Sequence, residues 1–510
     1  MLVKITLLLL FFGCMIAVGL YARKSANSMT DFVLGGRSVG PWLSAFAYGT
    51  SYFSAVVFVG YAGQFGWKYG LASTWIGLGN AVIGSLLAWV AMGRRTRVMT
   101  HHLEVATMPD FFGRRYDSNV IKIVASAIAF VFMIPYTASV YNGLSRLFGM
   151  AFDIPYTVCV ITMAVLTGVY VILGGYMATA INDFIQGIIM LFGIVAVIGA
   201  VLSGQGGFLE AVRKLSELPS DVPVTMGQQG AFASFFGTDP LNLLGVIILT
   251  SLGTWGLPQM VHKFYAIKSE KAIKTGTIVS TFFAVIVSGG CYFLGGFGRL
   301  FDAEALYKAD GSVMYDAIVP SMLSTLPDLL IGVVIILVLS ASMSTLSSLV
   351  LTSASTLTLD FIKGNIVKEM NDKKQLIYIR VLIVFFIVIS VVLALNPPTF
   401  IAQLMGISWG ALAGAFLAPF LYGLYWKGIT RAGVWASFLC GVGITVSNMF
   451  FKFIASPINA GAAAMIAGLI ITPVVSLVTP KINAAFVNKI FQCYDNTAKV
   501  SSKEYLKEEA

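Results

Sequence analysis

Ala45-Phe-Ala-Tyr-Gly-Thr-Ser-Tyr-Phe-Ser54 and Thr250-Ser-Leu-Gly-Thr-Trp-Gly-Leu-Pro258 are the two stretches on which the fold turns. Each lies inside an apolar run long enough to cross a bilayer, and each places Gly, Ser and Thr at mid-depth. Lipid offers no hydrogen bonds to a backbone, so an interrupted helix survives there only where it lines a cavity or a protein-enclosed site. The plainer alternative is that small residues let neighbouring helices approach closely. Their spacing favours broken helices. One stretch is in the second apolar run and the other in the seventh, as expected if runs two to six and seven to eleven are inverted repeats, each beginning with a helix unwound at a binding site.

The runs are counted by length. A crossing helix needs about 20 largely apolar residues, and such runs lie near 3–22, 42–66, 70–93, 120–148, 155–175, 177–203, 240–262, 272–299, 328–358, 376–396, 400–426, 431–451 and 459–480, thirteen in all. The first is too long for a signal peptide, and its basic pair, Arg23-Lys24, follows rather than precedes it. It reads as a retained helix with its N-terminus outside. Thirteen crossings then put 25 of the 33 Lys and Arg on the cytoplasmic side and 8 on the other. That bias supports a cytoplasmic C-terminus. The expected organisation is one all-α transmembrane unit over 1–480, with core repeats at about 42–203 and 240–426, and a cytoplasmic tail over 481–510. Between runs, 207–218 has apolar residues at helical spacing and reads as a short surface helix.

Composition excludes several functions. Hydrophobic residues make up 57% of the chain and charged ones 11%, against roughly 25% charged in soluble domains. The net charge of +10 is spread over short breaks between runs, whereas a nucleic-acid binder gathers its charge on one face. Five isolated cysteines imply neither a disulfide framework nor a zinc site. His101, His102 and His262 fall in or beside loops without metal-ligand spacing, and no cluster of acids and histidines marks an enzyme. The short tail is too small for a signalling domain, which counts against a solute sensor.

Two polar features remain inside the membrane. The ninth run contains Ser340-Ala-Ser-Met-Ser-Thr-Leu-Ser-Ser348, and on a helix Ala341, Ser344, Thr345 and Ser348 share one face. Hydroxyls and carbonyls are the oxygen ligands that a hard cation prefers; the alternative is that each serine only bonds its own helix carbonyl. The sixth run opens with Asp183. A buried carboxylate costs on the order of 2.5–3.5 kcal/mol on insertion scales, and with no Arg or Lys expected inside any run, an exchangeable cation or a proton is its expected partner. The other reading puts Asp183 in water at the cytoplasmic interface, just after Gly174-Gly175. Tyr52, Tyr136, Trp255 and Trp409 are aromatic candidates for a solute pocket, and Thr254 is a polar one.

Five landmarks stand along the chain: Asp31-Phe-Val-Leu-Gly-Gly-Arg-Ser-Val-Gly-Pro41, Met108-Pro-Asp-Phe-Phe112, Gly174-Gly175 ahead of Asp183 and Gln186, Met343-Ser-Thr-Leu-Ser347, and Trp409-Gly-Ala-Leu-Ala-Gly-Ala415. Through them the chain is similar to the sodium/solute symporter family, a resemblance that spans nearly its whole length. It implies a LeuT-type core of two inverted five-helix repeats, with one helix before and two after, in a bacterial inner membrane. It also implies a sodium site built from the carbonyls of Thr50, Phe53 and Ala341 and the hydroxyls of Ser344 and Thr345. Some members bind a second sodium with an aspartate and neighbouring serines, a pattern that Asp183, Ser344, Ser347 and Ser348 fit. The implied partners are sodium, a small solute and lipid, with no organic cofactor, nucleic acid or obligate protein partner. Where the similar proline-carrying branch has an acid and aromatic residues, this chain has Tyr52, Thr250 and Thr254, so proline is disfavoured. A proton-coupled carrier using Asp183 is the nearest rival.

Overall fold

The computed structural model describes residues 2–23, 28–152, 154–363, 365–367, 369–397 and 399–495. Lys24, Lys368 and the expected tail beyond 495 lie outside the described residues. Among those described, helices dominate and no strand forms. In chain order they are α1 (Leu2–Ala22), α2 (Met29–Leu34), α3 (Pro41–Tyr52), α4 (Val56–His102), α5 (Met108–Tyr116), α6 (Asn119–Phe152), α7 (Tyr156–Gly204), α8 (Phe208–Glu217) and α9 (Pro240–Gly256). There follow α10 (Pro258–Tyr265), α11 (Glu270–Gly295), α12 (Tyr315–Ser324), α13 (Asp328–Ile362), α14 (Asp372–Leu395), α15 (Ile401–Tyr425), α16 (Arg431–Phe451), α17 (Pro457–Val478) and α18 (484–495).

Ten of these are long and apolar enough to cross a membrane, and the bent pair α9 and α10 makes an eleventh. The sequence leads to thirteen. The difference arises because α4 and α7 run on through positions where the sequence separates two runs. They contain 47 and 49 residues, each about 70 Å if straight and roughly twice the hydrocarbon thickness. Neither is straight. Gly70 in α4 has φ 60° and ψ −141°, and Gly175 in α7 has φ 55° and ψ −147°. Only glycine adopts this backbone without strain, and a Cβ at Gly175 would also lie 2.7 Å from the Phe32 carbonyl oxygen.

Local chemistry sets several helix starts. The side chains of Thr107, Asp239, Ser269, Asn371 and Thr430 accept backbone N–H bonds at the N-termini of α5, α9, α11, α14 and α16, satisfying donors that have no partner within the helix. Proline begins α10. It removes a backbone donor and pushes Leu257 into an extended conformation (φ −83°, ψ 121°), so α9 and α10 meet at 45°. The α3–α4 break has no such local cause. Phe53 is extended (φ −104°, ψ 119°), and beyond it the Ala55 N–H donates to Ser342 Oγ on α13 at 3.2 Å.

The centre of the molecule is α13 and α15, whose apolar stretches are 78% and 89% buried, against 22% for α1 and 28% for α14. The outer helices present Leu9, Leu10, Phe192, Val381 and Leu477 to their surroundings, apolar exposure on helices long enough to cross a membrane that fits lipid rather than water. The expected surface helix is α8, with Ala211 and Leu215 buried and Arg213 paired to Glu210 and Glu217 on its outer side. The early part of the expected tail forms α18 and is packed against the body. Ile490 and Phe491 are buried, and the Tyr494 hydroxyl donates to the Leu424 carbonyl at 3.1 Å, because Val487, Ile490, Phe491 and Tyr494 recur at helical spacing.

Candidate functional site

The last four carbonyls of a helix have no partner within it; in α3 these belong to Gly49, Thr50, Ser51 and Tyr52. The fold sets them against the hydroxyl face of α13. Ser344 Oγ donates to Thr50 Oγ1 at 2.8 Å, and Thr345 Oγ1 lies 3.3 Å from the Ser51 carbonyl and 3.1 Å from that of Ala341. One turn on, Ser348 Oγ and Ser51 Oγ share a hydrogen bond of 2.8 Å. Thr50, Ser51, Phe53, Ala341, Ser344, Thr345 and Ser348 are all buried. Hydroxyls and helix-end carbonyls converge at the break, and the donor set is wholly oxygen, the chemistry that suits a hard cation. Ser347 faces differently and bonds the Ser344 carbonyl of its own helix at 2.9 Å.

Three of the five pocket candidates meet beside this junction. Tyr52 stacks on Trp409 of α15 at 5.7 Å, and Tyr136 of α6 meets the same indole edge-on at 5.8 Å. The Tyr52 hydroxyl donates to the Thr250 carbonyl, which ties the broken end of α3 to α9. The Tyr136 hydroxyl and the Trp409 indole N–H are buried without hydrogen-bond partners among the described residues. Thr254 and Trp255 stand apart from this cluster and donate to the Gly84 and Ile83 carbonyls at 3.1 and 2.9 Å. Residues 250 and 253 of α9 face the aromatic cluster, and 254 and 255 are rotated toward α4. A cavity of about 750 Å³, lined by Gln64, Phe65, Lys68, Asp239, Arg299 and Gln403, lies two to three turns beyond the break along α4.

Asp183 requires two corrections. It is buried at 0% exposure, so the interface reading fails. It also has a basic partner. Lys263, only 2% exposed, places its Nζ 3.4 Å from Asp183 Oδ2 and 2.9 Å from Ser348 Oγ. Lys263 falls after the seventh apolar run and reads as a loop residue. The turn that Pro258 starts carries it back into the protein, with His262 and Gln259 buried alongside. Asp183 Oδ1 has no hydrogen-bond partner among the described residues. Ser51, which the sequence does not single out, belongs to the same small polar stretch as Thr50.

A protein-family model described as the sodium:solute symporter family matches residues 32–441. Sodium/proline symporters of Staphylococcus aureus, among them those of strains JH9 and USA300, are 30% identical over 92% of this chain and 91% of their own length. Among solved structures, the substrate-bound outward-open state of a Na+-coupled sialic acid symporter superposes with a TM-score of 0.76 at 16% identity, over 94% of this chain and 98% of that one. A nucleobase-cation-symport-1 family transporter in a closed conformation superposes with a TM-score of 0.56 at 12% identity, over 91% and 98%.

Proposed function

This chain belongs to the sodium:solute symporter family, a multi-pass membrane protein of sodium-coupled solute transport, and from that premise we propose that it imports a small organic solute by alternating access. The solute is of the amino acid, carboxylate, sugar or vitamin class. The observation that carries the reading is the junction at the α3 break, where Ser344 and Thr345 close on Thr50 and the Ser51 carbonyl at 2.8 and 3.3 Å. Sodium enters this junction from outside, held by the carbonyls of Thr50, Phe53 and Ala341 and the hydroxyls of Ser344 and Thr345. It thereby fixes the broken helix to α13, and the solute binds beside it against Tyr52, Tyr136 and Trp409. The unpartnered Tyr136 hydroxyl and Trp409 N–H supply donors to a solute oxygen.

Thirteen crossings fit this reading if α4 and α7 each fold at their glycine into two and the α3 and α9 breaks interrupt single crossings. The N-terminus is then outside, and α3 to α7 and α9 to α15 make up the two repeats. One sodium ion moving down 100 mV supplies about 2.3 kcal/mol, and a tenfold gradient supplies about 1.4 kcal/mol more. Together they sustain accumulation of several hundredfold, roughly.

The test is uptake by proteoliposomes containing the purified protein, with solutes chosen by thermal shift from amino acids, short carboxylates, sugars and vitamins. The expected result is accumulation of one class under an inward sodium gradient and none with potassium in its place. Proline, the named solute of the S. aureus relatives, is expected not to be taken up. Undiminished uptake without sodium, driven by a pH gradient alone, refutes the reading in favour of proton coupling.

A further inference from the structure

Two of the oxygens suited to a second sodium, Asp183 Oδ2 and Ser348 Oγ, already hold a cation that belongs to the protein. Asp183 and Ser348 are the acid and hydroxyl at the centre of that set, and the Lys263 ammonium lies 3.4 and 2.9 Å from them. All three side chains are buried, so neither charge is offset by water. The ammonium is further enclosed by the Tyr176 ring at 5.2 Å. Of the other members of the set, Ser344, which also stands beside Asp183, donates to Thr50, and Ser347 bonds its own helix. A sodium ion ligated by both Asp183 and Ser348 would have to stand within a few ångströms of Nζ, where like charges in a buried setting repel strongly.

We infer that Lys263 is a tethered replacement for the second sodium, so that this protein binds and couples one sodium ion per cycle. The lysine is carried on α10, the second half of the broken helix. It makes permanent a link to α7 and α13 that a mobile ion would make only when bound. Ser348 joins the two places, accepting from Lys263 at 2.9 Å and sharing a hydrogen bond with Ser51 at 2.8 Å. The ammonium therefore also positions the α3 carbonyls that would receive the remaining sodium. This inference rests on the sodium-coupled reading above.

Equilibrium binding of radioactive sodium to the purified intact protein tests it without knowledge of the solute. The expected count is one ion per protein at saturation. Lys263→Ala leaves the buried carboxylate without its cation, so a second ion binds and the count doubles; Lys263→Arg keeps it at one. Lys263→Gln, which keeps a polar side chain of similar reach without the charge, is expected to bind two ions as well and covers the case in which Lys263→Ala fails to fold. Two ions on the intact protein, or a folded Lys263→Ala that still binds one, overturns the inference and leaves the symporter reading standing. No saturable sodium binding by the intact protein refutes that reading and the inference with it.

Discussion

Replacing Thr345 by valine tests the sodium junction with little change of shape. The threonine hydroxyl donates to the Ala341 carbonyl at 3.1 Å and lies 3.3 Å from that of Ser51, so its lone pairs remain available to an ion at the α3 break. Valine fills the same volume and opens no cavity. Without sodium, the loss is one buried hydrogen bond, about 1 kcal/mol of stability. With sodium, it is a ligand to a charge, for which about 1.5–3 kcal/mol is the appropriate scale. At about 1.4 kcal/mol per factor of ten, half-saturation should shift to roughly ten- to a hundredfold more sodium. The assay is a sodium titration of thermal unfolding on purified protein at constant ionic strength, checked by radioactive sodium binding. Ser355→Ala, which removes a buried hydroxyl bonded only to its own helix at 2.6 and 3.2 Å, should leave the midpoint in place. A folded Thr345→Val protein whose midpoint stays within about twofold of the parent contradicts the assignment, since that difference is less than 0.5 kcal/mol.

Three other perturbations probe separate parts of the molecule. Trp409→Phe narrows the ring on which Tyr52 and Tyr136 rest and removes the unpartnered N–H. In uptake assays with the accepted solute, half-saturation for the solute should rise while that for sodium changes by less than about twofold, and a purely sodium-linked defect would count against the pocket. Gly175→Ala combines an unfavourable positive φ with a Cβ 2.7 Å from the Phe32 carbonyl oxygen. Backbone strain of about 1–3 kcal/mol plus steric crowding should lower the unfolding temperature by several degrees, and an unchanged value would show that α7 tolerates ordinary helix there. Asp316, on the short helix α12 outside the crossings, is the pH probe. Burial pushes its carboxyl from 3.8 up to about 6, while the Ile401 N–H donates to it. Its folded form holds a proton that the unfolded form has released, so stability is greatest below the unfolded value and declines as pH rises through about 6. The difference is on the order of 3 kcal/mol. Asp316→Asn should flatten that decline in unfolding temperature, and a parent profile that rises across the window would reverse the sign.

Features that depend on residue type and period can be read from the chain before it folds. Apolar length identifies the membrane helices. Pro258 announces the second break because a residue that lacks an N–H and restricts its predecessor acts locally. The hydroxyl face of α13 follows from helical geometry alone. Where those groups meet depends on packing. Nothing within Phe53-Ser54 forces an extended backbone; the break is set by what packs on it, including Ser342. The same holds for Thr254 and Trp255, whose position beside Thr250 in the chain does not reveal that a rotation about α9 turns them toward α4. The strongest case is Lys263. As a basic residue after an apolar run it reads as a cytoplasmic charge, because hydropathy averages over a window and does not register a buried pair. Only the turn of α10 back into the protein shows that its charge has gone to Asp183. A buried ion pair between residues 80 positions apart is a property of the packing, and no local pattern encodes it.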